Sequence, residues 1–251
     1  MEQQTLLADL IRIAREAAAV IMQIYETDFT VRGKLDSSPV TEADEKAEAV
    51  ILAQLRRLTP DIPVVAEEAV AAGQHVEQGN RFWLVDPLDG TKEFINRNGE
   101  FTVNIALIEN GAPVLGVVYA PAIGRLFAGA VNHGAFLEQD GLRRAIEVRT
   151  VPAAGYTVVA SRSHGDADAL KAFLGDKPIA ELRSAGSSLK ICLVAAGEAD
   201  LYPRLGRTME WDIAAGHAVV RAAGGHLTTL DGQEMSYGKP IFENPHFVVR
   251  A

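Results

Sequence analysis

A single cysteine, Cys192, stands among 251 residues, which excludes an internal disulfide and a thiolate metal cluster. It lies in the apolar run Ile191-Cys192-Leu193-Val194, where a buried structural thiol is the expected role. The pattern fits a reducing compartment. No apolar stretch approaches the ~20 residues that cross a bilayer. The first residues include Glu2 and Asp9 and carry no basic-then-apolar leader. Positive charge is scarce: 24 Lys and Arg face 33 Asp and Glu, a net charge of −9. That balance argues against a nucleic-acid polymer or an anionic membrane surface as partner. It also means that a phosphate ligand must be neutralised locally, by a metal or a few cationic side chains. The expectation is a soluble, cytoplasmic protein. Aromatic residues make up only 6%, but 48% of the chain is hydrophobic, enough for a full interior, so disorder is not the default. The length suits one large domain or two modest ones sharing a core.

What is present centres on residues 82–95, Phe-Trp-Leu-Val-Asp-Pro-Leu-Asp-Gly-Thr-Lys-Glu-Phe-Ile. Phe82 to Val85 predicts a buried strand that stops on Asp86-Pro87, with Asp89-Gly90 as a turn. Gly90 lets the backbone bend and a ligand approach. Thr91 to Ile95 can open a helix whose free N–H groups suit an anion. An isolated Asp-Pro or Asp-Gly is ordinary turn chemistry. Here two carboxylates share one short string, and a second acidic pair, Glu67-Glu68, follows the apolar stretch Ile62 to Ala66. Hard oxygen ligands beside an anion-friendly helix start are what a magnesium-phosphate site needs.

Around this centre, helical periodicity predicts an amphipathic helix over 5–26. A second helix starts after Thr41, with Asp44 three residues on as a capping-box variant, and carries Ala47, Val50, Ile51, Leu55 and Leu58. Asp44 reads either as compensation of the helix dipole or as a carboxylate aimed at a site beyond the helix start. Val64 to Ala66 is a short strand. Residues 70–80 are a polar loop, plain or acting as a lid. Phe101 to Glu109 and Val114 to Tyr119 are strands joined by the Asn110-Gly111 hairpin. Arg125 to Ala130 and a further hairpin around Asp140-Gly141 complete an antiparallel sheet. Beyond it, Thr157 to Ala160 is a strand, 167–175 and 189–197 are helices, Ala199 to Tyr202 is a strand, and Trp211 to Ala223 is a helix with Asp212 at its start. A strand, a loop and the strand Phe247 to Arg250 finish the chain. Gly186-Ser187-Ser188 before a helix is, taken alone, an ordinary N-cap, with phosphate binding as the alternative. Residues 1–150 form an α+β half with most of the acidic candidates. Residues 151–251 form an α/β half, and the two make one compact unit.

Glu67-Glu68, Asp86-Pro87-Leu88-Asp89-Gly90-Thr91 and Trp211-Asp212-Ile213-Ala214-Ala215-Gly216 together resemble the inositol monophosphatase superfamily. The continuation Lys92-Glu93-Phe94 is similar to the bacterial CysQ-type 3′(2′),5′-bisphosphate nucleotidases. So are Ser38-Pro39-Val40-Thr41-Glu42-Ala43-Asp44, Ser161-Arg162-Ser163-His164, Gly186 to Lys190 and Tyr202-Pro203-Arg204. The resemblance implies a layered α-β-α-β-α sandwich. It further implies magnesium-dependent, lithium-sensitive hydrolysis of adenosine 3′,5′-bisphosphate to AMP, in the setting of sulfate assimilation. Carried over residue by residue, Glu67, Asp86 and the Leu88 carbonyl match ligands of a first metal. Asp86, Asp89 and Asp212 match ligands of a second, and Glu68 matches a weaker third position. Asp44 and Thr91 match the pair that activates water. Gly90 and Thr91 match N–H donors to phosphate. Ser161, His164, Gly186, Ser187, Ser188, Lys190 and Arg204 match contacts to the nucleoside and its second phosphate. The resemblance leaves open a monomer or a homodimer, and a peripheral contact with the inner membrane. An inositol or sugar phosphatase of the same superfamily is the near rival, and a regulator that binds the nucleotide without cleaving it is the distant one.

Overall fold

The computed structural model describes residues 3–33, 39–161 and 167–251. Helix α1 (Gln3–Tyr25) buries Leu6, Leu10, Ile13, Ala17 and Ile21 on one stripe. After the short ribbon of β1 (Val31–Gly33) and β2 (Pro39–Thr41), α2 (Glu42–Leu58) buries Ala43, Ala47, Ile51 and Leu55, one per turn. Both stripes lie on one face of a seven-stranded sheet. Its order is β3 (Val64–Ala66), β4 (Arg81–Asp89), β5 (Thr102–Glu109), β6 (Ala112–Ala120), β7 (Arg125–Ala130), β8 (Gly134–Gln139) and β9 (Leu142–Ile146). Alternation along the strands makes both faces apolar. Trp83, Val85, Val103, Ile105 and Leu107 meet α1 and α2, while Phe82, Leu84, Ala106, Ile108 and Phe127 face the other way.

That second face receives α6 (Leu189–Ala195) and α7 (Glu210–Ala222). Beyond them lies a five-stranded sheet of order β11 (Ile179–Ala185), β10 (Tyr156–Ser161), β12 (Leu201–Arg204), β14 (Phe247–Arg250) and β13 (His226–Thr229). Its outer face takes Phe173 and Leu174 of α5 (Ala167–Leu174) against Val158, Leu201 and Val248. The layers are therefore α-β-α-β-α, as the resemblance implies. Helix α7 runs so close to the first sheet that a Cβ on Gly116 would lie 2.3 Å from the Ala215 carbonyl oxygen. This close pass fixes where the start of α7, and with it Asp212, meets the sheet. Among the described residues no helix is long and apolar enough to cross a membrane.

Four local expectations need correction. Strand β4 does not stop at Asp86. It continues to Asp89 through a bulge, since Asp86 pairs with Asn104 and Asp89 with Thr102. Pro87 falls inside that bulge, where its missing N–H interrupts no regular ladder. Glu67 opens a helical turn, α3 (Glu67–Ala71), which takes in the first two residues of the loop expected over 70–80. β3 pairs parallel to β4, so the first sheet is mixed. Strand β11 has no counterpart in the expected elements. It is an edge strand, exposed along six of its seven residues, and an edge exposed on both faces writes no period-2 apolar pattern.

Candidate active site

Several element ends converge on one edge of the first sheet. Thr41 caps α2 in a full capping box: its hydroxyl accepts from Ala43 N–H at 3.1 Å, and Asp44 Oδ2 takes Thr41 N–H at 2.8 Å. The second oxygen, Oδ1, accepts the Thr91 hydroxyl at 3.1 Å. Asp44 thus both caps α2 and accepts from Thr91. Thr91 begins α4 (Thr91–Ile95), which follows Gly90 in a left-handed conformation at φ 90°. In the bulge, Leu88 N–H donates to Asp86 Oδ1 at 3.0 Å. Asp89 Oδ2 accepts Ser188 N–H at 2.5 Å, across from the other half of the chain. Asp212 holds the start of α7 by taking Met209 N–H at 2.8 Å.

The carboxylates are electrostatically one group. Asp86, 1% exposed, has its pKa pushed well above the usual range, first by burial and then by the charges of Glu67, Asp89 and Asp212. Burial, followed by Asp89 and Glu67, likewise raises Asp212, while Met209 N–H and Arg204 offset part of this. Asp89 is pushed up to about 6, chiefly by burial, against the opposing pull of Lys190 and the Ser188 N–H. Both Asp89 and Asp212 open part of their surface to a groove, so solvent tempers these effects. Such a cluster is stable only if protonated or neutralised by cations. Its donors are all hard oxygens, which suits magnesium over softer ions. Among the described residues no three His, Cys, Asp or Glu side chains already stand at the spacing of a formed metal site.

The groove measures about 1100 Å³ and is lined by Glu67, Glu68, Asp89, Gly90, Thr91 and Asp212 on its acidic side. Ser161, Ser187, Ser188, Lys190, Tyr202 and Arg204 line it too. Two of these serve the scaffold. Ser188 is 3% exposed, and its hydroxyl bonds Asn104 and Thr102 at 2.8 and 2.9 Å. Lys190, 5% exposed, gives its ammonium to the carbonyls of Ala185 and Ser187 at 3.1 and 2.7 Å. Burial pulls the Lys190 pKa down to about 8, against the pull of Asp89. Gly186 is pinned as well, its N–H on Glu100 Oε2 at 2.8 Å. Arg204 donates to the Arg207 carbonyl at 3.0 Å, but its buried Nε finds no hydrogen-bond partner among the described residues. His164 lies outside the described residues.

With the fold and the site in view, a model of the inositol monophosphatase family matches residues 2–249. The chain belongs to the inositol monophosphatase family. Within it, the 3′(2′),5′-bisphosphate nucleotidase CysQ of Escherichia coli (strain K12) is 49% identical over 247 residues, covering 97% of this chain and 99% of that one. The protein of the same name from Haemophilus influenzae is 31% identical, covering 97% and 92%. CysQ from Bacteroides thetaiotaomicron superposes with a TM-score of 0.83 at 39% identity, over 99% of this chain and 98% of that one. An inositol monophosphatase from Anabaena superposes at 0.76 with 28% identity, over 98% and 90%.

Three residues that support this family site escaped sequence reasoning. Asn104 and Thr102 anchor Ser188, and nothing in an alternating strand marks one polar position as long-range. Glu48, 6% exposed, accepts Glu68 N–H at 2.8 Å and so ties α2 to the start of α3. A signal was available for it: an acid one turn after Asp44, on the same face of the helix.

Proposed function

We propose that this protein is a magnesium-dependent 3′(2′),5′-bisphosphate nucleotidase, hydrolysing adenosine 3′,5′-bisphosphate to AMP and phosphate. The observation that carries the reading is geometric: Glu67, Asp89, Thr91 and Asp212 line one groove, the Thr91 hydroxyl donates to buried Asp44, and buried Asp86 lies close enough to Glu67, Asp89 and Asp212 to feel their charges. Glu67, Asp86 and the Leu88 carbonyl would hold one ion. Asp86, Asp89 and Asp212 would hold a second, and Glu68 would contribute to a weaker third position. Bound magnesium supplies charge neutralisation and Lewis acidity towards the phosphate ester.

The rest is chemistry of this chain. Four carboxylates against two divalent ions leave a site with almost no net charge, which an anionic ester can enter. Gly90 and Thr91 present backbone N–H groups to the phosphate, ahead of α4. The Thr91 hydroxyl, donating to Asp44 Oδ1, orients the attacking water. As the water gives a proton to Thr91 Oγ1, Thr91 passes its own to Asp44 Oδ1, which is the general base. Asp44 is fixed for this task because its other oxygen is committed to the cap of α2. Arg204 lines the same groove, and its guanidinium would meet the second phosphate and so separate a bisphosphate from a monophosphate.

The test is phosphate release from adenosine 3′,5′-bisphosphate, AMP and inositol 1-phosphate, with magnesium and with excess EDTA. The expected result is release from the bisphosphate alone, abolished by chelation. Preference for inositol 1-phosphate would move the chain to the inositol phosphatases of its family. Turnover persisting in EDTA would remove the metal reading.

A further inference from the structure

The Gly186-Ser187-Ser188 turn has an arrangement that neither an N-cap nor a phosphate loop requires. Ser188 N–H meets Asp89 Oδ2 at 2.5 Å over a separation of 99 residues, and Asn104 Nδ2 approaches the same oxygen at 3.5 Å. Ser188 makes no side-chain cap for α6. Its hydroxyl is buried between β5 and the turn, where each proton has one place to go. Asn104 Oδ1 can only accept, so Ser188 donates to it at 2.8 Å. The Ser188 oxygen, at 2.9 Å from Thr102 Oγ1, must then accept the Thr102 proton. The Asn104 amide cannot be turned over, because Asp89 Oδ2 already accepts from Ser188 and needs donors facing it.

The turn itself is braced from three sides. Ser187 is held at φ +45°, a conformation L-residues seldom adopt. Lys190 clamps the carbonyls of Ala185 and Ser187 from inside. Gly186 admits no Cβ, which would lie 2.7 Å from Glu93 and 2.8 Å from the Glu100 carbonyl oxygen.

We infer that Ser188, buttressed by Thr102 and Asn104, is a positioning residue for Asp89. It saturates Oδ2 from behind and leaves the other carboxylate oxygen as the one Asp89 turns to a divalent cation. The turn from the second half thereby completes a cation site whose acids come mostly from the first. This rests on the proposed metal-dependent reading and adds to it a specific job for a residue that the resemblance gives to the substrate.

The test uses the metal-free full chain and manganese as probe, by titration calorimetry, beside steady-state kinetics at saturating metal. Ser188→Ala keeps the backbone N–H on Asp89 but removes the hydroxyl that fixes it to Asn104 and Thr102; it is expected to weaken manganese binding about tenfold or more, in the range for losing an outer-sphere support, with KM for the nucleotide unchanged. Thr102→Val, which keeps the strand pairing with Asp89 but removes the hydroxyl that meets Ser188, is expected to weaken it in the same direction, while Thr102→Ser, which keeps the hydroxyl, restores wild-type affinity. Should Ser188→Ala fail to fold, the Thr102 pair decides. Unchanged manganese affinity in Ser188→Ala or Thr102→Val, or a raised KM for the nucleotide at full metal affinity, would overturn the inference and return Ser188 to the substrate. A wild-type chain that takes up no manganese would instead sink the metal-dependent reading on which it rests.

Discussion

Asp200 and Asp86 are almost equally buried, at 2% and 1% exposure, yet they stand in opposite electrostatic settings. Asp200 is met by Arg149 through two bonds, at 2.8 and 2.9 Å, and takes Thr157 N–H at 2.7 Å. Burial alone would raise its pKa. The donors from Arg149 and Thr157 outweigh burial, and the net shift is downward. Asp86 has burial and three neighbouring acids all pushing its pKa up. The first charge is compensated by the chain and belongs to its architecture. The second is uncompensated by the chain, and such clusters mark functional sites more often than structural ones; the proposed reading assigns its compensation to a cation.

Removing a charge should therefore stabilise the metal-free fold among the acids around Asp86 and destabilise it beside Asp200. Asp89→Asn removes repulsion and, on the proposed reading, one metal ligand. It is expected to lower kcat by about 100–1,000-fold, the scale for losing one strong electrostatic element. In EDTA the same variant should melt higher than wild type, by about 2–4 °C for each kcal/mol of repulsion relieved. Near-normal turnover would break the comparison on one side, and a lower metal-free Tm would break it on the other.

Next in size is Arg149→Ala. It strips the partner from a buried carboxylate and is expected to cost about 2 kcal/mol, below the range for a fully buried pair because the Arg149 side chain is 35% exposed. The folded pKa of Asp200 lies below its unfolded value, so the stability it contributes is present above the ordinary carboxylate range and is lost as pH falls through the folded pKa. The gap between wild type and Arg149→Ala should be full at pH 7 and close as pH drops below about 4. Urea melts of both chains across that range check it, and a gap that stays constant with pH would separate the loss from Asp200.

Glu48 makes the finer distinction between charge and acceptor. Glu48→Ala leaves Glu68 N–H without its 2.8 Å acceptor and should cost about 1 kcal/mol. Glu48→Gln keeps a carbonyl oxygen there and should recover most of it, so equal losses in urea melts would argue that the charge, not the bond, matters.

These residues also separate what the sequence discloses from what it hides. Asp86 to Thr91, the Thr41–Asp44 cap and the Asn110-Gly111 hairpin are local chemistry, in which each residue constrains its near neighbours, and each was legible. The bulge was misread because Pro87 looks like a terminator, and only pairing with β5 shows β4 passing through it. Ser188 on Asp89 and Glu48 on Glu68 are partnerships made by folding, 99 and 20 residues apart. A polar residue buried by distant strands carries no mark of its partner in its own neighbourhood, so neither bond can be read from the residues around it.

The smallest effect tests the far end of the comparison, a carboxylate that is neither compensated in a core nor stored at a site. Glu42 stands two residues before Asp44 in the first turn of α2 and pairs with Lys46 at 2.6 Å. Its side chain is 45% exposed and that of Lys46 is 58% exposed, so water screens both partners. Glu42→Gln should cost about 0.3–0.5 kcal/mol through the lost helix pair and dipole contact, fading in high salt, with kcat at the wild-type value. Asp44→Asn, on the same turn, should lower kcat by 100-fold or more if Asp44 is the general base of the proposed reaction. If Glu42→Gln impaired turnover as Asp44→Asn does, the catalytic effect would belong to the negative charge of the helix start as a whole, and the Asp44–Thr91 bond would lose its standing as the proton path.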